Sequence, residues 1–383
     1  MKFWSVVSLE HEPSTIAADV RDQVDSEYDE IDLVVAFVRP SAGVESTAII
    51  EAVRESIPGR HFLACTAESV VAAGREIEHG AATGLLVGSL PNVEIEPLID
   101  IVKILEDPET ASVKLDGAVA VIALLDPFTV EAETLAARMN DIAPGVPLVG
   151  GVASGEQTMG GNRLACGTTI TNRGAVGLAL RGQVDLSVVV SQGCRPVGPV
   201  YTVTGVQGNL ITGLDDRSPL DALQGVFTEA IDRDQDLMRA GVMVGRAISP
   251  DPSNWGRDGF LIRGLMGGDQ ESGALAVAGA VRERDAVQFH VRDAATAQED
   301  LEMLLTPQAF EPEAAGALLF TCNGRGTRMY GKPDGDISII RQALGNEVPV
   351  SGFFCGGEMG PVGGDNFVHG YTASMAIFRP RSG

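Results

Sequence analysis

The chain repeats one arrangement three times: an apolar strand, a helix, a second apolar strand, a glycine-rich turn and further strands, over roughly 60 residues. In the second copy the turn at 150–156 reads GGVASGE, and in the third the turn at 352–358 reads GFFCGGE. In both turns a Glu directly follows a Gly and stands six residues after the first Gly. The first copy, at 64–76, matches loosely and contains an insertion. Strands that alternate with helices predict an α/β fold, and the extra strands after each turn predict mixed sheets with flanking helices.

Hydrophobic patterning and turn residues predict where the elements of each copy lie. Strands are expected at 1–9, 31–38, 61–66, 83–89, 117–125, 146–149, 174–180, 316–321, 348–353 and 372–378, and helices at 14–24, 43–57, 130–142 and 337–344. Between the second and third copies, strands are expected at 184–192, 200–207, 242–248, 259–265 and 286–292, and helices at 218–239 and 294–305. A Gly/Asp-rich stretch at 208–217 marks a boundary, which gives an N-terminal domain, 1–213, and a C-terminal domain, 214–383. No low-complexity linker separates them, so two tightly packed halves are expected.

Charge and composition exclude several classes of function. The chain of 383 residues has 28 Lys and Arg against 52 Asp and Glu, a net charge of −24, which repels nucleic acids and anionic lipids. We therefore expect neither a nucleic-acid nor a membrane partner. The N-terminus becomes charged too soon for a signal peptide, and the five cysteines include no C-x-x-C pair. A cytoplasmic bacterial protein is predicted.

Motifs for common chemistries are absent from the sequence. It contains no G-x-x-x-x-G-K-[ST], no H-E-x-x-H and no G-x-S-x-G. Cys322, Cys355, Glu358 and His369 have the side chains of a zinc site, but their long spacing favours buried free cysteines. No metal and no cofactor are predicted.

Two glycine-rich turns near the C-terminus carry the best candidates for a binding site. The first turn consists of Cys322, Asn323, Gly324, Arg325 and Gly326, and it follows the strand predicted at 316–321. Ligands of α/β sheets bind where strands end, and an Arg between two glycines can bind a carboxylate or phosphate together with backbone amides. The alternative is a turn whose Arg meets solvent or a surface Asp.

The second turn contains Cys355, Gly357 and Glu358, and the repeat places it on the neighbouring strand. Glu358 could accept hydrogen bonds from an ammonium group or act as a general base, or simply bind backbone amides of its own turn. His369 is a candidate proton shuttle or a structural side chain. A Cys–His pair formed from Cys322 or Cys355 with His369 is the enzymatic alternative, which we rank below ligand binding.

The order of these motifs resembles the FIST family (F-box and intracellular signal transduction) of sensory domains. The resemblance is carried by VPLVGGVASGE at 146–156, by the junction at 194–223 with its Cys-x-Pro-x-Gly segment, and by CNGRG, FFCGGEMGP and HGYT at 322–326, 353–361 and 369–372. It implies a FIST N-terminal and a FIST C-terminal domain in a stand-alone form. It also implies intracellular sensing of a small ligand, with amino acids as the usual proposal, and signalling through a partner protein.

The implied ligand agrees with the charges of the two turns. Our hypothesis is that Arg325 and the amides of 324–326 bind a carboxylate while Glu358 binds the amine. Two other classes stay open: an enzyme using a cysteine with His369, and a structural assembly protein whose glycine turns only build the fold. A homo-oligomer is compatible with all three classes.

Overall fold

The computed structural model describes residues 1–24, 30–256 and 259–381. The strands of the first two copies are β1 (Lys2–Ser8), β2 (Leu33–Arg39), β3 (His61–Thr66), β4 (Val70–Ala72), β5 (Arg75–Ile77), β6 (Ala82–Ser89), β7 (Val93–Leu98), β8 (Ala120–Leu125), β9 (Leu148–Val152), β10 (Leu164–Cys166), β11 (Thr169–Thr171) and β12 (Ala175–Gly182). The later strands are β13 (Val184–Gln192), β14 (Cys194–Gln207), β15 (Leu210–Leu214), β16 (Val242–Ala247), β17 (Phe260–Gly268), β18 (Leu275–Val277), β19 (Ala286–Arg292), β20 (Gly316–Cys322), β21 (Val350–Cys355), β22 (Glu358–Val362), β23 (Asp365–His369) and β24 (Thr372–Pro380).

The helices are α1 (Pro13–Gln23), α2 (Ser46–Ser56), α3 (Ile101–Glu106), α4 (Pro108–Leu115), α5 (Ala132–Ile142), α6 (Pro219–Glu229), α7 (Asp232–Ala240), α8 (Ala294–Leu305), α9 (Thr327–Tyr330) and α10 (Gly335–Leu344). The prediction of one helix at 218–239 was wrong, because Ala230 and Ile231 are extended and separate α6 from α7. Asp232 and Asp234 lie in the first turn of α7, where negative charge favours a new helix start. No helix in the described part of the chain is both long and apolar enough to cross a membrane.

Three mixed sheets confirm the predicted α/β class and repeat one strand order. The sheets run β1-β6-β2-β3-β10-β11, β7-β12-β8-β9-β22-β23 and β13-β24-β20-β21-β4-β5. In each sheet the two central strands are parallel, namely β2 with β3, β8 with β9 and β20 with β21. The first copy is therefore β1–β6, the second is β7–β12, and the third is β13 with β20–β24.

Each sheet is completed by a hairpin that belongs to a different copy. The hairpin β4–β5 of the first copy pairs with β21 of the third, and β10–β11 of the second pairs with β3 of the first. The hairpin β22–β23 of the third copy pairs with β9 of the second. The exchange is cyclic, so strands from both halves of the chain share two of the three sheets, as tight packing of the halves predicts.

The glycines of the repeated turns allow the central parallel strands to approach closely. A Cβ atom on Gly150 would lie 1.9 Å from the carbonyl oxygen of Ala123, and one on Gly352 would lie 1.8 Å from that of Leu319. Both distances are shorter than any van der Waals contact. These positions therefore require glycine.

The inner faces of the three sheets share one apolar core. Phe37 from the first sheet lies 5.0 Å from Phe353 and 6.3 Å from Phe320 of the third, measured between ring centroids. Ile122 and Leu124 of the second sheet join the same cluster. The outer faces pack against helices, so each sheet has one face on the shared core and one beneath its own helices.

The described chain forms two compact units. The first unit consists of 1–190, 301–368 and 372–383, of which 25–29 and 382–383 lie outside the described residues, and it holds the three sheets. The second consists of 191–300, apart from 257–258, with 369–371, and it contains a closed barrel of strands β14-β15-β18-β17-β16-β19 with α6 and α7. In chain order the second unit interrupts the third copy between β13 and β20. The division into domains 1–213 and 214–383 describes the two sequence halves, not these units, and stays a prediction.

Candidate ligand-binding site

The two candidate turns lie next to each other at the carboxyl ends of β20 and β21. Cys322 and Cys355 are register partners on these parallel strands. The amide of Asn323 donates to the carbonyl of Cys355 at 3.0 Å, which ties the turns together. At the second turn, the carbonyl of Gly357 accepts from the amide of Val152 at 2.9 Å. The adjacency predicted from the repeat is therefore confirmed.

Two backbone amides of the first turn have acceptors within the turn itself. The amide of Arg325 donates to the carbonyl of Cys322 at 2.8 Å, and the amide of Gly324 lies 3.4 Å from the Cys322 sulfur. Gly326 has a φ of 61°, and a Cβ atom there would lie 2.9 Å from the carboxyl group of Glu78. Only glycine fits this position. Of the three amides at 324–326 that we proposed as donors to a ligand, two already have acceptors.

Arg325 is fully buried and is paired with Asp336 in the first turn of α10. Its Nε donates to Oδ2 of Asp336 at 2.8 Å and its Nη2 to Oδ1 at 2.6 Å, so the guanidinium fork faces a protein carboxylate. Tyr330 and Thr321 also donate to Asp336, at 2.7 and 2.8 Å. Burial opposes the charged form, but the Arg325 charge and these hydrogen bonds hold the pKa of Asp336 below its usual range.

Two further carboxylates come from the exchanged hairpin of the first copy and the residue after it. Glu76 is buried and accepts from the amides of Gly335 and Ile337 at the start of α10, at 3.1 and 2.9 Å. Burial, together with the nearby Asp336 charge, raises the pKa of Glu76 to about 8. Glu78 accepts from the amide and hydroxyl of Thr327 at the start of α9.

Sequence reasoning assigned no role to Glu76, Glu78 or Asp336. Their sequence signals are weak: Glu76 ends the loosely matching turn of the first copy, and Asp336 lies near a predicted helix start, where acidic residues are common.

Glu358 begins β22 and is fully buried. Its Oε2 accepts from the amide and hydroxyl of Thr372, at 3.2 and 2.8 Å. Burial raises the pKa of Glu358 to about 8, and this shift is opposed by the Thr372 hydrogen bonds, the Arg325 charge and the Cys322 thiol. Arg325 is therefore close enough for its charge to act on Glu358.

Three polar atoms of this site have no hydrogen-bond partner among the described residues although they are buried. They are Oδ1 of Asn323, Nη1 of Arg325 and Oε1 of Glu358. Buried polar atoms in proteins are nearly always paired, so these three require an explanation. Glu156, which occupies the matching position in the second copy, is exposed.

Complete burial makes a thiol a poor nucleophile, and this applies to Cys355 of the candidate site and to Cys65 of β3. Cys355 and Cys65 are fully buried, and burial raises the pKa of each thiol well above its usual value. Both are neutral at physiological pH. His369 is buried and is grouped with the second unit, while Cys322 and Cys355 belong to the first. Among residues 1–24, 30–256 and 259–381, no cluster of three or more His, Cys, Asp or Glu is arranged to hold a metal ion.

Family models match most of the chain. The FIST N domain model matches residues 32–217 and the FIST C domain model matches residues 219–361. The chain belongs to the FIST family. An uncharacterised protein from Mycobacterium tuberculosis is 38% identical over 338 residues, which cover 87% of this chain and 88% of the relative. A second, from Mycobacterium bovis, is 38% identical over 334 residues, or 86% of each chain.

FIST domains are sensory domains of signal transduction, and they generally bind small ligands. Both FIST domains supply residues to the site described above. Glu76 and Glu78 come from the FIST N match, and Arg325, Asp336 and Glu358 come from the FIST C match. The exchanged hairpin therefore joins the two FIST domains at the candidate site.

Proposed function

We propose that this FIST protein is a sensory module that binds a small ligand bearing a carboxylate and an amine, such as an amino acid, at the ends of β20 and β21. In this proposal the bound state is passed on to a signalling partner in the cytoplasm. One observation carries most of the argument. Arg325 and Glu358 are fully buried groups of opposite ionic character, and each keeps one polar atom without a hydrogen-bond partner.

The unpaired atoms determine the chemistry of the proposed ligand. A buried polar atom without a partner costs roughly 1–3 kcal/mol, so a ligand that pairs both atoms gains that free energy on binding. Nη1 of Arg325 needs an acceptor, which a carboxylate supplies. Oε1 of Glu358 and Oδ1 of Asn323 need donors, which an ammonium group supplies.

The role proposed for Arg325 is a single hydrogen bond. Its Nε and Nη2 are held by Asp336, so only Nη1 is available to a ligand. Because this ion pair and Tyr330 fix the guanidinium in place, little side-chain entropy is lost when a ligand binds.

The proton on Glu358 should make the affinity for an amine ligand depend on pH. With a pKa of about 8, Glu358 is mostly protonated at neutral pH, whereas an ammonium ligand favours its carboxylate. Binding an amine should therefore release a proton from Glu358, and the affinity should rise as pH increases toward 8.

A thermal-shift panel tests the proposal. It contains the twenty amino acids, each beside its analogue without the amine and its analogue without the carboxylate. A ligand at ~100 times its dissociation constant adds ~2.7 kcal/mol of stability. The informative variant is Glu358→Gln, since the amide oxygen can still accept from Thr372, and the matched control is Glu156→Gln.

We expect one amino acid, or a small group of them, to raise Tm only when both functional groups are present. Glu358→Gln should remove this rise, and Glu156→Gln should keep it. A rise of full size in Glu358→Gln would show that the ligand binds elsewhere. A flat panel on protein from which small molecules have been removed by unfolding and refolding would count against an amino-acid ligand.

A further inference from the structure

The second unit contains a cleft of about 600 Å³ at one end of its barrel. It lies between α6, α7, the start of β16 and the ends of β17 and β19. Gly241 and Tyr371 also line it. All of these residues belong to the second unit. The volume is within the range of small-molecule sites, roughly 300–1,000 Å³.

Most of the side chains that line the cleft are apolar. Leucines from α6 and methionines from α7, β16 and β17 contribute side chains; they are Leu220, Leu223, Met238, Met243 and Met266. Met266 is exposed. Methionine side chains adapt to irregular apolar ligands because they are unbranched and polarizable.

One end of the cleft carries a positive charge. Of the residues that line it in the described chain, Arg292 is the one with a permanent charge. Its guanidinium carbon lies 5.8 Å from the centroid of the Tyr371 ring, and it pairs with no carboxylate of the described residues. A guanidinium held over an aromatic ring keeps its in-plane N–H groups available for a carboxylate or phosphate.

The rim of the cleft is bare backbone. The pairing of β17 with β18 shifts register between Leu265 and Gly267, and Gly267 has a φ of 151°. A Cβ atom on Gly267 would meet nothing within 4 Å. Such a bulge bends the strand, and the pairing resumes at Gly267 and Gly268, so backbone without side chains lines this side of the cleft.

We propose that this cleft binds a single-chain amphiphile with an anionic head group, of the fatty-acid carboxylate type. The head group pairs with Arg292, and the chain lies along the leucine and methionine side chains. The proposal is independent of the site in the first unit and concerns a second ligand of a different class.

Isothermal titration of the full chain with sodium dodecanoate, below its micellar concentration, tests the inference. Dodecan-1-ol and dodecyltrimethylammonium share its chain but not its charge. We expect one dodecanoate per chain, weaker binding of the alcohol and still weaker binding of the cation. Arg292→Gln should weaken dodecanoate by roughly tenfold or more, the equivalent of a lost charge-assisted hydrogen bond, and leave the alcohol unchanged.

Two further variants test whether dodecanoate recognises the position of this charge and the volume of the cleft. Arg282→Gln removes an exposed positive charge of the second unit outside the cleft, and it should change the dodecanoate affinity by no more than about twofold. Ala240→Trp fills the cleft from an exposed position at the end of α7, so the variant should fold and lose both dodecanoate and the alcohol. Glu358→Gln should bind dodecanoate normally, because it alters only the first unit.

Three results would overturn the inference: no saturable binding of dodecanoate, unchanged affinity in Arg292→Gln, or equal affinity for the anionic and cationic probes. Sedimentation with phosphatidylglycerol vesicles distinguishes a free amphiphile from a membrane surface. Vesicle binding that depends on Arg292, without binding of free dodecanoate, would also contradict it.

Discussion

The first and third copies have the same strand order, but the residues at the carboxyl ends of their central strands β2 and β20 have very different surroundings. At the end of β2, Arg39 is only partly buried and lines an open cleft of about 440 Å³, and its Nη1 has no partner among the described residues. At the end of β20, Arg325 is fully buried and bound to Asp336. One scaffold therefore holds an arginine in an open cleft in one place and in a closed polar cluster in another.

Local additions to the third copy explain the difference. The short helix α9 places Tyr330 over the cluster, and α10 carries Asp336 in its first turn. The hairpin from the first copy adds Glu76 at the start of α10, where it accepts from backbone amides. Site chemistry in this fold is thus determined by a few side chains on a common frame.

The largest expected difference in the free energy of unfolding is between variants at the two arginine sites. Asp336→Ala leaves the charge of Arg325 buried and unpaired, which should lower the free energy of unfolding by about 3–5 kcal/mol. Arg39→Ala removes a partly exposed arginine without a partner on Nη1, and should cost less than about 1 kcal/mol. Urea denaturation of both variants measures the difference. Equal losses would show that the third copy is no more dependent on its charge pair than the first.

The second prediction compares the two glutamates of the repeated turns. The pKa of Glu358 is about 8 in the folded chain and near 4.5 in an unfolded one. Between these values the folded state holds a proton that the unfolded state has lost, so the free energy of unfolding decreases as pH rises from 4.5 to 8.

Glu358→Gln should remove this decrease, a difference of roughly 2–4 kcal/mol between pH 5 and pH 9 relative to the wild type. The remaining slope comes in part from Glu76, whose pKa is also raised to about 8. Urea denaturation across this range measures the effect, and Glu156→Gln should follow the wild-type curve. A parallel curve for Glu358→Gln would mean that Glu358 is ionised in the folded protein.

The smallest effect on the free energy of unfolding is expected for an ion pair at the surface between the first and third copies. Arg328 of the third copy pairs with Glu68 of the first at 2.5 Å, but its side chain is 57% exposed. Arg328→Ala should therefore change the free energy of unfolding by less than about 1 kcal/mol. Chemical denaturation at low and high salt checks this value, and a loss comparable to that of Asp336→Ala would show that the rim of the site matters as much as its interior.

The sequence was sufficient for the repeat and for the longer strands and helices of each copy, but not for the short hairpin strands or for α3, α4 and α9. Runs such as 31–38 and 61–66 predicted buried strands, because apolar residues and turn signals are local. The exchange of hairpins was not predictable, since the pairing of β4 with β21 joins segments that are distant in the chain. The break at Ala230 was also missed, because the apolar spacing of α6 continues into α7.

For the candidate site, the sequence located both turns and their adjacency. It did not identify Asp336 as the partner of Arg325, because that pairing depends on how α10 packs. Nor did it indicate the burial that raises the pKa of Glu358, which follows from packing of β22 on β9.

The cyclic exchange of hairpins also constrains how the chain is made. During synthesis, the hairpin β4–β5 leaves the ribosome long before β21, the strand that it joins, exists. The edge of β9 likewise stays unpaired until β22, which lies close to the C-terminus, has been synthesised. Strand edges that wait for distant partners are exposed to association with other chains, and non-local pairing slows folding. The first unit should therefore reach its native state only after its final strands are released, and until then these strand edges of the nascent chain stay unpaired.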